Sequence, residues 1–267
     1  MIEGRAVRVL GIETSTRRGS VALVEDGRLV AHRAHEQPNA HAERLLPLVT
    51  ELMRESGWSP GGLDRVAVSI GPGSFTGVRV GMALAQGIAL GLAVPVVGVP
   101  SLTAMASAVP ARIPGRRLAC LDARRDAVFV AVHPTPGPAA TEPCVVPRCR
   151  FSSLLAELAP IGPLVVVGEI ASELGVEELP PGSDPEPVRE RGVAPFRYVA
   201  SDADLPDARW VAVLGLDAEP DPLGPAPLYV REPDALLPVE PPDALARRLA
   251  LGPFPAAPGV RPSPGGA

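Results

Sequence analysis

The chain has 267 residues and a formal net charge of −5, an acidity that excludes unaided electrostatic capture of tRNA or DNA over its whole surface. All 25 basic residues are arginine, so a lysine Schiff base, a catalytic lysine and the lysine of a P-loop are ruled out. Aromatic residues make up only 3%, too few for the stacking platforms that bind single-stranded nucleic acid.

The N-terminal stretch carries Glu3 and Arg5 early and lacks an apolar core, so no signal peptide is read. The longest apolar run, Val80 to Val99, is interrupted by glycines and Pro95 and makes a poor membrane span. A soluble, cytoplasmic protein with no membrane association is expected. Cys120, Cys144 and Cys149 form no disulfide framework and lack the partner pair of a zinc site. They are expected to serve as small buried hydrophobes.

In chain order, Val7 to Thr14 reads as an apolar strand ending in small polar residues. Gly19 to Val24 and Arg28 to Ala31 follow, joined by Asp26-Gly27, a strong hairpin signal. A helix is predicted over Ala40 to Ser56, with Pro38-Asn39 as stop and cap and Gly57 at its end. Arg65 to Ile70 is a buried strand, Gly77 to Leu92 a helix, Val94 to Val99 a strand, and Ser101 caps a short helix. Leu118 to Asp122 and Ala127 to His133 form a second hairpin, and Phe151 to Leu158 is helical. Leu164 to Gly168 is a strand, and Leu205 to Leu216 is helical. The pattern β-β-β-α-β-α-β-α is that of a mixed sheet with packed helices, and its weak recurrence suggests a duplicated α/β fold.

Gly71-Pro72-Gly73-Ser74-Phe75-Thr76-Gly77 sits between a strand and a helix. Such a turn can hold a phosphate on backbone N–H groups, or can simply be a tight turn capped by Ser74 or Thr76. Its spacing is one residue off the dinucleotide fingerprint. The helix that follows is apolar nearly all round, with Gly77, Gly81, Gly87 and Gly91 inside it. The preceding helix carries Leu45, Leu46, Leu48, Val49, Leu52 and Met53 on an arc wider than one sheet requires. Surplus apolar faces on neighbouring helices read as a protein–protein interface or as mutual cover.

Gly11-Ile-Glu-Thr-Ser-Thr16, His41-Ala-Glu-Arg-Leu-Leu-Pro47, the whole Gly71–Gly81 segment, Asp122-Ala-Arg-Arg125 and Tyr229-Val-Arg231 resemble the bacterial TsaB (YeaZ) family. The resemblance runs in order over residues 7 to 232. It implies a two-lobed actin/hexokinase-like (ASKHA) fold. The N-terminal lobe would be residues 1–108 and the C-terminal lobe 109–232, and residues 233–267 would form a disordered Pro/Ala/Gly-rich tail.

By the same resemblance the chain is the non-catalytic partner of a TsaD-like subunit, with a TsaE-like ATPase joining the pair. The TsaD-like subunit transfers a threonylcarbamoyl group to N6 of adenosine 37 in tRNAs reading codons that begin with A. The resemblance also implies a homodimer when the partner is missing, and tRNA contact only through the complex. The interface would use Leu45, Leu48, Val49, Leu52, Gly77, Gly81, Met82 and Ala85.

A vestigial nucleotide site would fall on Glu13, Thr14, Ser15, Thr16 and Gly168, although an actin-like ATPase carries Asp where this chain has Glu13. Glu169 in the second loop would repel phosphate. Catalytic members of the fold hold a metal with two histidines four residues apart on the first long helix. Here His41 is followed by Leu45, so neither a metal nor another cofactor is expected. Asp122-Ala-Arg-Arg125 is either an anion contact or a charged hairpin tip. Two other classes compete with the scaffold. An ATP-dependent small-molecule kinase of the same fold needs a phosphate-binding Asp. A protease needs a nucleophile with a base or metal.

Overall fold

The computed structural model describes residues 5–37, 40–134, 141–159, 163–179 and 195–230. Strand β1 (Arg8–Glu13) is buried along nearly its whole length, as an apolar run covered on both faces must be. It pairs antiparallel with β2 (Gly19–Glu25), which pairs antiparallel with β3 (Arg28–His35). Asp26 and Gly27 turn the second hairpin with φ of 47° and 76°, matching the expectation from the dipeptide. Helix α1 (His41–Glu55) leads to β4 (Arg65–Ser69), α2 (Phe75–Leu92), β5 (Val96–Val99) and α3 (Ser101–Ser107). Strands β4 and β5 add in parallel, giving the order β3-β2-β1-β4-β5.

The second half repeats the plan. β6 (Arg116–Asp122), β7 (Ala127–His133) and β8 (Cys144–Pro147) form a meander, followed by α4 (Phe151–Leu158), β9 (Leu164–Val167) and the short α5 (Ile170–Glu173). Then come β10 (Glu178–Leu179), β11 (Phe196–Tyr198), α6 (Ser201–Asp204) and α7 (Ala208–Gly215). The sheet runs β10-β11-β9-β6-β7-β8. Read from its meander outward, it has the strand order and directions of the first sheet, with β10 added. This is the two-lobed actin/hexokinase-like α/β architecture, with helices flanking two mixed sheets.

Alternation along the strands sends side chains to two different layers. Leu10, Ile12, Val21, Leu23, Val66 and Val68 pack under α1 and α2, whereas Val9, Val24, Ala67 and Val97 face α7. Gly11 is a glycine because any Cβ there would strike the carbonyl of Ala208 in α7. The strands divide between the sheets on either side of residue 108, but the helices cross over. α7, late in the chain, covers the first sheet, and α3, from the first half, lies on the second with Leu102 and Met105 in its core. Residues up to Arg231 accordingly form one compact unit. The tail expected after residue 232 lies outside the described residues.

Several local expectations change. The N-cap of α1 is Ala40, without a side-chain bond, and Pro38-Asn39 lie outside the described residues. Ser74 caps α2 by accepting from Gly77 N at 3.2 Å, whereas Thr76 is already helical. Pro100, not Ser101, precedes α3, because the Ser101 hydroxyl is engaged with Ser69 Oγ at 2.8 Å. β8, β10 and β11 are strands that short or Pro-flanked segments did not reveal. Helix α2 is long and apolar enough to cross a membrane, with a mean hydropathy of 1.3 over 18 residues. Here one face of it rests on β1 and β4.

Candidate functional site

The C-terminal end of β1 carries Glu13, Thr14 and Ser15, the residues on which the resemblance would place a vestigial nucleotide site. All three are buried, and Thr16 is half-buried. Several of their polar groups are already committed, whereas Glu13 Oε2 and Ser15 Oγ are buried with no hydrogen bond of good geometry among the described residues. Glu13 Oε1 accepts from Ser15 N, Thr14 Oγ1 donates to Gly77 O at 2.8 Å, and Ser15 O accepts from Ser74 N at 2.6 Å. Thr16 Oγ1 donates to Arg18 O at 3.3 Å. Burial pushes the Glu13 carboxyl above its ordinary pKa, with hydrogen bonds from Ser15 and Ser69 opposing the shift.

The second loop contributes no better. Gly168 has a φ of 124°, and a Cβ there would strike the Cys120 carbonyl, so close strand packing demands this glycine. Glu169 does not stand as a bare repulsive carboxylate. It forms a two-pronged ion pair with Arg17, one arm of it at 2.6 Å, joining the turn after β1 to the loop after β9. The cleft between the two loops is therefore bridged by the protein's own charges.

The glycine-rich turn resolves in the same direction. Gly73, Gly77 and Gly81 each lie where a Cβ would collide with Ser15 or Thr14. These glycines let α2 press directly onto the end of β1, which sequence alone could not separate from phosphate binding.

The two helices present a different surface from the one expected. Leu45, Val49, Leu52, Met82 and Ala85 are buried in the core beneath α1 and α2, and Gly77 and Gly81 lie against Thr14. These seven positions serve packing within the chain itself. The first sheet uses more of each helix than a single narrow stripe. Leu48 alone of the expected set is half-exposed. The surface that does face outward carries Leu46 at 51% exposure, Pro47 and Leu48 on α1, and Ala83, Gly87 and Leu90 on α2. Val80, Leu84 and Ile88 are half-buried beside them. A Cβ added at Gly87 or Gly91 would meet nothing within 4 Å. The apolar surplus is real, but it lies on the neighbours of the residues first singled out.

Other polar groups are paired within the fold. Asp207, the N-cap of α7, is buried between Arg18 and His32 at 3.5 and 3.0 Å. Burial alone would raise its pKa, yet His32 and Arg18 hold it below the ordinary value. His41 is 2.9 Å from Thr16 O and 3.3 Å from His35. Among the described residues no group of three or more candidate ligands could hold a metal. Asp122 accepts from Arg124 N at 2.9 Å, and Arg124, Arg125 and Asp126 all have positive φ, the geometry of a capped hairpin tip. Cys120 is buried, donates to Val167 O and is pushed up to about 12 by desolvation. Cys144 and Cys149 are exposed, contrary to expectation.

Comparison with known proteins adds the following. The TsaD family profile, described as tRNA N6-adenosine threonylcarbamoyltransferase, matches residues 28–136. The tRNA threonylcarbamoyladenosine biosynthesis protein TsaB of Escherichia coli is 42% identical over 128 residues, covering 48% of this chain and 55% of that one. The chain thus spans about half the length of the curated TsaB proteins it matches first. An uncharacterized Mycobacterium tuberculosis protein is 33% identical over 233 residues, covering 85% of this chain and 93% of its own. A Pseudomonas aeruginosa crystal structure described as similar to peptidase YeaZ superposes with a TM-score of 0.65 at 28% identity. It covers 84% of this chain and all of that one.

Proposed function

This chain belongs to the TsaB (YeaZ) family, and from that premise we propose that it is a non-catalytic scaffold subunit in tRNA threonylcarbamoyladenosine biosynthesis. In this reading it pairs with a TsaD-like subunit, which carries out the transfer to N6 of adenosine 37. A TsaE-like ATPase joins the pair, and tRNA is reached only through the complex. In the absence of the partner the chain pairs with itself. It works in the cytoplasm.

The observation that carries the proposal is the occupied state of the β1 loop. Glu13 Oε1, the Thr14 hydroxyl and the Ser15 carbonyl are spent on α2 and on the loop itself, and Arg17 and Glu169 join this loop to the one after β9. A kinase of this fold would need those groups free for phosphate and metal. A protease would need a base beside a nucleophile, whereas among the described residues no imidazole is hydrogen-bonded to the buried Ser15 Oγ, and Ser74 Oγ is used as a cap. The outward apolar surface of α1 and α2 supplies what a scaffold requires instead.

The test is co-purification and mass measurement of the full chain with the TsaD-like protein of the same genome, alongside ATPase and tRNA-modification assays of the chain alone. A stable heterodimer with an inactive isolated chain is the expected result. Robust turnover by the isolated chain, or failure to pair, would overturn the proposal.

A further inference from the structure

In a chain so poor in aromatic residues, two exposed rings meet at the start of α2. Phe75 is 42% exposed and Tyr229 is 45% exposed, and their centroids are 5.4 Å apart in a stacked arrangement. Arg79 lies over them, with its guanidinium carbon 3.7 Å from the Phe75 centroid and its Nε donating to Tyr229 Oη at 2.8 Å. One face of the guanidinium is covered and its inner N–H is used. Arg79 is exposed, and among the described residues neither a hydrogen bond from its two Nη groups nor a carboxylate partner is found. A side chain that would otherwise lose rotamer freedom on binding is ordered in advance.

Arg79 is also the only charge on the eighteen residues of α2. Proceeding from it in steps of four, the same row carries Ala83, Gly87 and Gly91, all exposed, with open space above both glycines. A partner helix can approach closely along that row, and the apolar surroundings would exclude water from a contact at its end.

We infer that Arg79, braced by Phe75 and Tyr229, is the charged anchor of this helix face and receives an aspartate or glutamate carboxylate from a helix of the heterologous partner. The inference rests on the scaffold reading above and names the group that selects the partner. Pairing of α2 with α2 of a second copy opposes two guanidinium groups with no acid on either helix, so the anchor disfavours that mode of self-association. A nucleic-acid phosphate is disfavoured, because the adjoining row is apolar and the chain is net acidic.

The experiment measures, for the full chain, calorimetric affinity for the TsaD-like protein at several salt concentrations, homodimer affinity by ultracentrifugation, and tRNA retention. Arg79→Gln should weaken heterodimer affinity by about 10- to 100-fold and flatten its salt dependence. Arg79→Lys should not restore it, because an ammonium lacks the planar fork. Tyr229→Phe, which keeps the ring and removes only the brace, should weaken pairing to a smaller extent. Homodimer affinity should stay unchanged or rise, because Gln removes the opposed charges, and the thermal midpoint should stay unchanged. If Arg79→Gln lowers the midpoint sharply, the Tyr229→Phe comparison decides. Unchanged heterodimer affinity in both variants, equal weakening of heterodimer and homodimer, or loss of tRNA retention with protein pairing intact would each overturn the inference. No pairing by the unmodified chain would overturn the scaffold reading as well.

Discussion

Arg17 and Glu169, 152 residues apart in the chain, clasp one another and join the turn after β1 to the loop after β9. The pair is partly exposed, with side-chain accessibilities of 50% and 38%, so it contributes about 0–1 kcal/mol to stability. Its larger effect is to fill the space between two loops. Glu169→Ala should therefore leave the melting temperature within a few degrees while freeing Arg17 to meet an anion. Calorimetry should show phosphate or ATP binding that is unchanged or stronger than in the parent chain. Weaker binding in the variant would mean that Glu169 supports a nucleotide rather than excluding it.

The glycines of α2 divide into two kinds, and substitution should separate them. A Cβ at Gly77 or Gly81 collides with the β1 loop, so Gly77→Ala should destabilise by several kcal/mol or prevent folding. Gly87 faces open space, and Gly87→Ala should raise stability by about 0.5–1 kcal/mol. The same added methyl should weaken pairing through the α2 face. Urea titrations of both variants and a pairing assay of the second check these outcomes.

Charge placed on the two helices should act according to which side it enters. Leu52 is fully buried, so Leu52→Arg should unfold the chain by leaving an unpaired charge in the core. Leu46 is exposed, so Leu46→Arg should fold normally and abolish association with the TsaD-like protein. Circular dichroism and gel filtration separate the two effects. Normal pairing by Leu46→Arg would remove α1 from the interface.

Acid should destabilise the second lobe through His133. Desolvation lowers its pKa from 6.5 to about 4 in the folded chain. Between those values the unfolded chain binds more protons, so stability rises with pH. The contribution is complete above pH 6.5 and declines toward pH 4, by at most about 1.4 kcal/mol per pH unit. His35, also lowered by burial first and by His41 and Arg44 next, acts with the same sign. Glu13 acts oppositely, because a raised carboxyl pKa makes stability fall as pH rises through it. Denaturant titrations from pH 4 to 7 should show a reduced slope for His133→Gln and a steeper net rise with pH for Glu13→Gln.

Most of the fold was legible because its signals are local. Apolar runs at Val9–Ile12 and Val66–Val68, the Asp26-Gly27 turn and the repeated strand-hairpin opening each record short-range backbone chemistry. The short strands β10 and β11, two and three residues long, left no periodicity to read. β11 is placed by pairing with β9, and β10 in turn by pairing with β11.

The site shows where local reading stops. Amino-acid types alone determined that α1 and α2 carry more apolar surface than one sheet can cover, that lysine chemistry is absent, and that Gly71–Gly81 is a special turn. Only the tertiary structure decided that Leu45, Leu52 and Ala85 turn inward while Leu46, Ala83 and Gly87 turn outward. A helical wheel gives the angles between side chains but not the orientation of the wheel on the sheet. That orientation is set by Gly73, Gly77 and Gly81 meeting Thr14 and Ser15. The Arg17–Glu169 bridge and the Arg79–Tyr229 brace join residues 150 or more positions apart, and a contact of that range exists only once both sheets have formed.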